Sequence, residues 1–201
     1  MKNISNSQSI RCLLLFAGWL VCGYTLGAND KLAPAASSYQ RSEAAYEVPD
    51  VMLVRQDGKK VSLKKELNDG RPVFLNFIYA SCTTLCPVLS HVFSKTQEQL
   101  GKERDKVHLV SISLDPENDT PAKLIEYGKK FKAGAHWQHY TGTKQDSVTV
   151  QKAFDAYRGD KMNHTPTTFL RASPGKAWVR LDGFLSPDDL IREYHNLIKP
   201  E

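Results

Sequence analysis

Two short stretches of this chain read as interior β-strands, and the segment between them sets the architecture. Residues 73–79 are Val-Phe-Leu-Asn-Phe-Ile-Tyr, and residues 107–114 are Val-His-Leu-Val-Ser-Ile-Ser-Leu. Each run is brief and nearly continuous in apolar residues, the pattern of a strand covered on both faces. Between them, Pro87 suits the first position of a helix that continues to about Leu100, where Gly101 stops it. A strand, a helix and a strand in succession require parallel pairing with a right-handed crossover.

The flanking segments complete an α/β arrangement. Residues 51–54 and 60–63 lie either side of Asp57-Gly58 and predict an N-terminal hairpin. Thr120 caps, and Pro121 opens, a helix to about Lys132. A short strand over residues 137–140 and a helix over 144–157 follow as a strand–helix insertion. Residues 167–172 and 176–181 flank Ser173-Pro174-Gly175 and predict a second hairpin. Ser186 caps a last helix with Asp188 and Asp189 in its first turn. The apolar stripe of that helix is Leu190, Ile191, Tyr194, Leu197 and Ile198. This order predicts a thioredoxin-like fold: a central mixed sheet flanked by helices, with the N-terminal hairpin and the one insertion.

The first residues follow a different logic. Residues 1–11 are polar and carry only the charges of Lys2 and Arg11, residues 12–26 are almost entirely apolar, and Gly27-Ala28 are small. That is the layout of a secretory signal. The apolar run falls short of the roughly 20 residues of a spanning helix. Bulky Trp19 and Val21 disfavour lipid attachment at Cys22. The chain therefore divides into a signal peptide or short anchor (1–28), a flexible linker rich in Ala and Ser (29–47) and the folded domain (48–201). An exported protein is expected, periplasmic or held at the inner membrane facing the periplasm, with the membrane involved only through an uncleaved N-terminal anchor. Without Lys2 and Arg11 the 27 basic residues become 25 against 22 acidic, a net charge of +3. These charges are interspersed, which argues against a nucleic-acid partner.

Removing the signal also removes Cys12 and Cys22 and leaves Cys82 and Cys86. In an oxidising compartment, two neighbouring cysteines make a disulfide, a redox pair or a metal site. Both lie where the first core strand gives way to the first core helix, and a helix start favours the thiolate. Three residues separate them, so both sulfurs can face one point and either close a disulfide or hold one soft ion. Redox enzymes of this fold typically place two residues between their cysteines. Two thiolates alone suit Cu(I), and an added imidazole allows Cu(II). A closed zinc site would want a fourth ligand.

His164 is the candidate third ligand. It precedes Thr165-Pro166 and a strand, and in a thioredoxin-like fold the loop entering that strand faces the cysteine loop, with a Pro there commonly cis. Nearby Met162 offers a soft sulfur, although packing is the ordinary role of Met. His91 points outward on the first helix, His108 packs inside a strand, and His136, His139 and His195 have no evident partner. Asp115 and Asp119 follow the second core strand, where they tune the cysteines, dock a partner or simply shape a turn and cap.

Taken together these residues resemble the Sco/SenC family, copper chaperones linked to cytochrome oxidase assembly. The resemblance rests on Cys82-Thr83-Thr84-Leu85-Cys86-Pro87 after an apolar strand, then Ser113-Leu114-Asp115-Pro116-Glu117-Asn118-Asp119-Thr120-Pro121, then His164. It implies a copper site of Cys82, Cys86 and His164. It also implies copper delivery, or thiol reduction, at the two-copper (CuA-type) centre of an oxidase subunit or a related cuproprotein. The family commonly follows its histidine with a hydroxyl residue and apolar strand residues. Here Pro166 follows Thr165, as in dithiol oxidoreductases. The competing reading is therefore an exported thiol–disulfide oxidoreductase, with Cys82 and Cys86 as the redox pair and a thioredoxin-like reductant as its partner. A thiol peroxidase would need a peroxide pocket, for which Thr83 and Thr84 form no convincing motif.

Overall fold

The computed structural model describes residues 38–199. Its strands are β1 (Tyr39–Ala44), β2 (Met52–Arg55), β3 (Lys60–Ser62), β4 (Val73–Ile78), β5 (His108–Ser113), β6 (Trp137–Thr141), β7 (Thr167–Arg171) and β8 (Trp178–Gly183). Its helices are α1 (Leu63–Leu67), α2 (Leu85–Leu100), α3 (Pro121–Lys130), α4 (Lys144–Ala153) and α5 (Pro187–Ile198). All eight strands form one sheet in the order β1-β8-β7-β4-β5-β6-β2-β3. β4, β5 and β6 run parallel, and the other neighbours are antiparallel. This is the expected central mixed sheet, with the expected hairpin at β2–β3.

Alternation along each strand sends side chains to two separate cores. On one face Phe74, Leu109, Trp137 and Leu170 pack with Phe93 of α2 and with Leu190 and Tyr194 of α5. On the other, Leu75, Phe77, Val110 and Phe169 pack with Leu63 and Leu67 of α1 and Val150 of α4. Every residue of β4 and β5 is buried, as strands covered on both faces require. A third, smaller cluster sits at the end of the sheet and joins Ile78, Tyr79, Leu124 and Tyr127 to both cysteines.

That cluster follows from strand direction. β4 and β5 are parallel, so both end at the same edge of the sheet. β7 is antiparallel to β4, with Asn76 opposite Thr168, so it begins at that edge. The residues after β4, the residues after β5 and the residues before β7 must therefore meet there.

Several sequence expectations are corrected in detail. Residues 39–44, assigned to the flexible linker, form β1 and pair with β8 from Tyr39↔Gly183 to Ala44↔Trp178. This is an edge strand with a mostly exposed surface, so it carries no apolar alternation to reveal it. Its anchors are tertiary: the Tyr39 hydroxyl lies 2.6 Å from Glu193 and Arg41 Nε lies 3.0 Å from the same carboxylate. The expected signal peptide and residues 29–37 of the linker lie outside the described residues. α2 begins at Leu85, so Pro87 is its third residue, still within the first turn, where its missing N–H costs no helical bond. α1 replaces the end of the second hairpin strand, capped by Ser62, whose hydroxyl accepts from Lys65 N. α4 ends at Ala153, four residues early. The Thr165–Pro166 peptide is trans, because the described residues contain no cis bond. The Pro166 carbonyl accepts the Gly183 amide at 2.8 Å, which ties the segment before β7 to the end of β8.

Candidate metal centre

Tyr79 ends the β4 run, and the chain turns through Ala80 and Ser81 before α2. The Cys82 amide donates to the Tyr79 carbonyl at 3.1 Å, which folds the turn back on the strand. Asp119 holds the same turn from the loop after β5: both its carboxylate oxygens lie 3.2 Å from the Ala80 amide. Ser113 donates to Asp119 at 2.6 Å. The aspartate is thus a brace for the cysteine turn.

Cys86 lies on the first turn of α2 and its amide donates to the Cys82 sulfur at 3.4 Å. Both cysteines are buried and both are free thiols. Their environments drive them apart. Burial pushes the Cys82 thiol up, but the amides of Cys86 and Thr84, with the Cys86 and Tyr79 side chains, outweigh it and bring the thiol down to about 7. Cys86 is fully buried, and burial pushes its thiol far above the ordinary range despite a backbone hydrogen bond at Tyr79. Cys82 is the more readily ionised thiol of the pair, and Cys86 the one that keeps its proton.

His164 reaches this pair from the segment before β7. A one-turn helix, Lys161–Asn163, presents it, capped by Asp160, which accepts from Met162 N at 2.8 Å. The Lys161 carbonyl accepts from Nδ1 of His164 at 2.7 Å, so the proton sits on Nδ1 and the lone pair on Nε2. Nε2 lies 3.5 Å from Cys86 Sγ. Burial lowers the pKa of His164, keeping it neutral, the form that binds a metal. Lys161 in turn is fastened by Asp115 at 2.6 Å, and Asn118 holds the same carboxylate at 3.0 Å. The Tyr79 ring closes the remaining side, edge-on to His164 with centroids 5.5 Å apart.

One ligand atom from each of Cys82, Cys86 and His164 lies within 4.8 Å of the other two, and among the described residues no other group of histidines, cysteines and acids gathers in this way. The remaining histidines stand elsewhere. His91 is exposed on α2, His108 bonds Gln138 at 2.9 Å, His139 stacks on Trp137, and His136 and His195 face Asp105 and Glu103. Asp115 and Asp119 position the two loops and belong to no ligand group. Tyr79 and the Lys161 carbonyl were missed in the sequence. Tyr79 left one signal, an aromatic hydroxyl at the strand end beside the cysteines; a backbone carbonyl leaves none. The donor set is two soft sulfurs and one imidazole, which fits copper and lacks the fourth ligand of a closed zinc site.

A thioredoxin-like sheet with a dithiol at its first core helix and a neutral imidazole facing it defines a class: thiol proteins equipped to hold one soft metal ion. The family model described as SCO1/SenC matches residues 39–199. The SCO1 protein homolog of Bacillus subtilis is 30% identical over 158 residues, covering 74% of this chain and 81% of that protein. A SCO1/SenC family lipoprotein from Bacillus anthracis superposes with a TM-score of 0.67 at 25% identity, covering 78% of this chain and 98% of the other. Bradyrhizobium japonicum ScoI, solved with copper bound, gives 0.62 at 26% identity over 73% and 96%. This chain belongs to the SCO1/SenC family.

Proposed function

We propose that this protein is an exported copper chaperone that carries one copper ion on Cys82, Cys86 and His164 and passes it to the copper centre of a respiratory oxidase subunit. The observation that carries the reading is the convergence of those three ligand atoms within 4.8 Å. The copper-bound relative from Bradyrhizobium supports the metal, and the lipoprotein relative from Bacillus anthracis supports export. Among the described residues no helix is long and apolar enough to cross a membrane. Copper is cargo here, held in exchange for protons: the Cys86 proton, and that of Cys82 where it is still present, leave as the sulfurs bind. The same burial that favours neutral Cys86 drives reprotonation when the ion departs, so the empty dithiol returns to its starting state. Release is a ligand exchange in which a partner's donors replace these one at a time.

The test is copper stoichiometry of the reduced protein without residues 1–28, for wild type and His164→Ala. The expected result is about one ion per wild-type chain, held far more weakly in the variant, with the Cu(II) form most affected. Unchanged copper binding in His164→Ala would remove the histidine from the site.

The unequal thiols favour a second reading as a thiol–disulfide oxidoreductase. Cys82 would attack a partner disulfide and Cys86 would resolve the mixed disulfide. Cys86→Ser would then trap a mixed disulfide through Cys82, and failure to trap one would exclude this route.

A further inference from the structure

Met162 is the most exposed large apolar side chain among the described residues, at 70%. Its burial contributes nothing to the core, yet its backbone is firmly held. Asp160 accepts from its amide at 2.8 Å, and the neighbouring Lys161 is fastened to Asp115 at 2.6 Å. The thioether itself is directed inward along the rim: the Tyr79 hydroxyl donates to Met162 Sδ at 3.2 Å. The same tyrosine packs edge-on against His164, with ring centroids 5.5 Å apart, and shares one apolar cluster with both cysteines. One tyrosine therefore stands between an exposed soft sulfur and the buried dithiol, and that exposed sulfur lies two residues along the chain from the imidazole that completes the site.

This placement answers a difficulty of access. Cys86 is 0% exposed and Cys82 5%, so an incoming donor complex meets only a narrow opening at Cys82 and none at Cys86. A ligand exchange proceeds most easily when a new donor engages before an old one leaves. From Met162, its placement beside Tyr79 and the burial of both cysteines, we infer that Met162 is a rim ligand for Cu(I), which receives the ion at the surface and passes it inward to Cys82. A thioether is a neutral soft donor that suits Cu(I). A single O–H···S contact is weak enough for a metal–sulfur bond to displace it. In the step, the copper–Met162 bond breaks as the copper–Cys82 bond forms, and any proton on Cys82 passes to solvent. Copper remains Cu(I) throughout, so no electron acceptor or donor is needed.

The inference rests on the copper-carrier reading above, and the experiment separates the two. Cu(I) is supplied to the reduced full chain as a coloured chelate, and loss of the chelate absorbance is followed in a stopped-flow instrument. Met162→Leu keeps the size of the side chain and removes the sulfur. Met52→Leu, at the exposed first position of β2, is the matched control. The expected result is unchanged final stoichiometry with uptake slowed by about tenfold or more in Met162→Leu alone. Equal uptake rates in wild type and Met162→Leu would overturn the rim ligand and leave the carrier reading intact. Absence of copper uptake in wild type would overturn both. A direct readout uses protein with 13C-labelled methionine methyls and Ag(I) as a diamagnetic stand-in, in the Cys82→Ser/Cys86→Ser variant. The Met162 methyl should shift on titration while the Met52 methyl stays in place. A motionless Met162 resonance would refute direct coordination.

Discussion

The two thiols should ionise in separate steps, and the geometry predicts where the first one falls. An ordinary cysteine titrates near 9.0, and burial alone would raise that value for Cys82. The amides of Cys86 and Thr84 at the head of α2, with the Cys86 and Tyr79 side chains, reverse the trend and place Cys82 at about 7. At pH 7 the thiolate fraction is then about one half, against about one per cent for an unperturbed thiol. Between pH 6 and pH 8 that fraction climbs about tenfold, whereas an ordinary thiol would climb nearly a hundredfold. Thiolate absorbance near 240 nm in the reduced, metal-free protein reads this directly. Tyr79, beside the thiols, is pushed up to about 12, first by burial and then by Cys82. One thiolate should form with a midpoint near 7, and the second should stay protonated across the whole window because Cys86 is buried. The same shift makes Cys82 a stabilising group at high pH. Its folded pKa lies below its unfolded one, so its contribution is complete above about 9 and is lost as pH falls through about 7. A single midpoint near 9, or two thiols titrating together, would show that the amides at the head of α2 do not hold the Cys82 sulfur.

Three further outcomes follow from other parts of the molecule. Asp115→Asn loosens the clasp on Lys161 and with it the carbonyl that orients His164. Cu(II) affinity should fall about 10–100-fold with Cu(I) affinity little changed, as measured against competing chelators; equal losses for both ions would contradict a role through the imidazole. His139 is buried without a partner for Nε2, and burial brings its pKa from 6.5 to about 4. The unfolded chain binds that proton first, so stability should drop by on the order of 3 kcal/mol as pH falls from 6.5 to 4. His139→Gln should flatten this part of the denaturation profile, and an unaltered acid limb would assign the sensitivity elsewhere. Phe154 is fully buried among Tyr46, Phe77, Phe169 and Trp178. Phe154→Ala should cost about 3–5 kcal/mol in urea unfolding, with copper stoichiometry kept at a temperature where the variant is folded.

Much of this protein is legible in the linear chain because the signals are local. The continuous apolar runs of β4 and β5 announce strands buried on both faces, and Thr120 and Ser186 mark helix starts by hydroxyls that accept the free amides of Lys123 and Asp189. The cysteine spacing at a strand-to-helix turn names the kind of chemistry. The fold class then implies, by strand direction, that the residues before β7 meet those after β4, which brings His164 into the reading.

What the chain alone left open depends on contacts between distant residues. β1 has no apolar rhythm, since its place comes from a backbone ladder with β8 and from the grip of Glu193 on Tyr39 and Arg41. The tautomer of His164 is set by a carbonyl, and a carbonyl is common to every residue. The inequality of two identical thiols arises because one sulfur accepts an amide hydrogen bond at the helix head while the other belongs to the more deeply buried residue. Residue type and spacing determined which atoms can hold a soft ion. Only the tertiary structure decided their protonation and their orientation, because desolvation and hydrogen bonding belong to the assembled surroundings of an atom rather than to its neighbours along the chain.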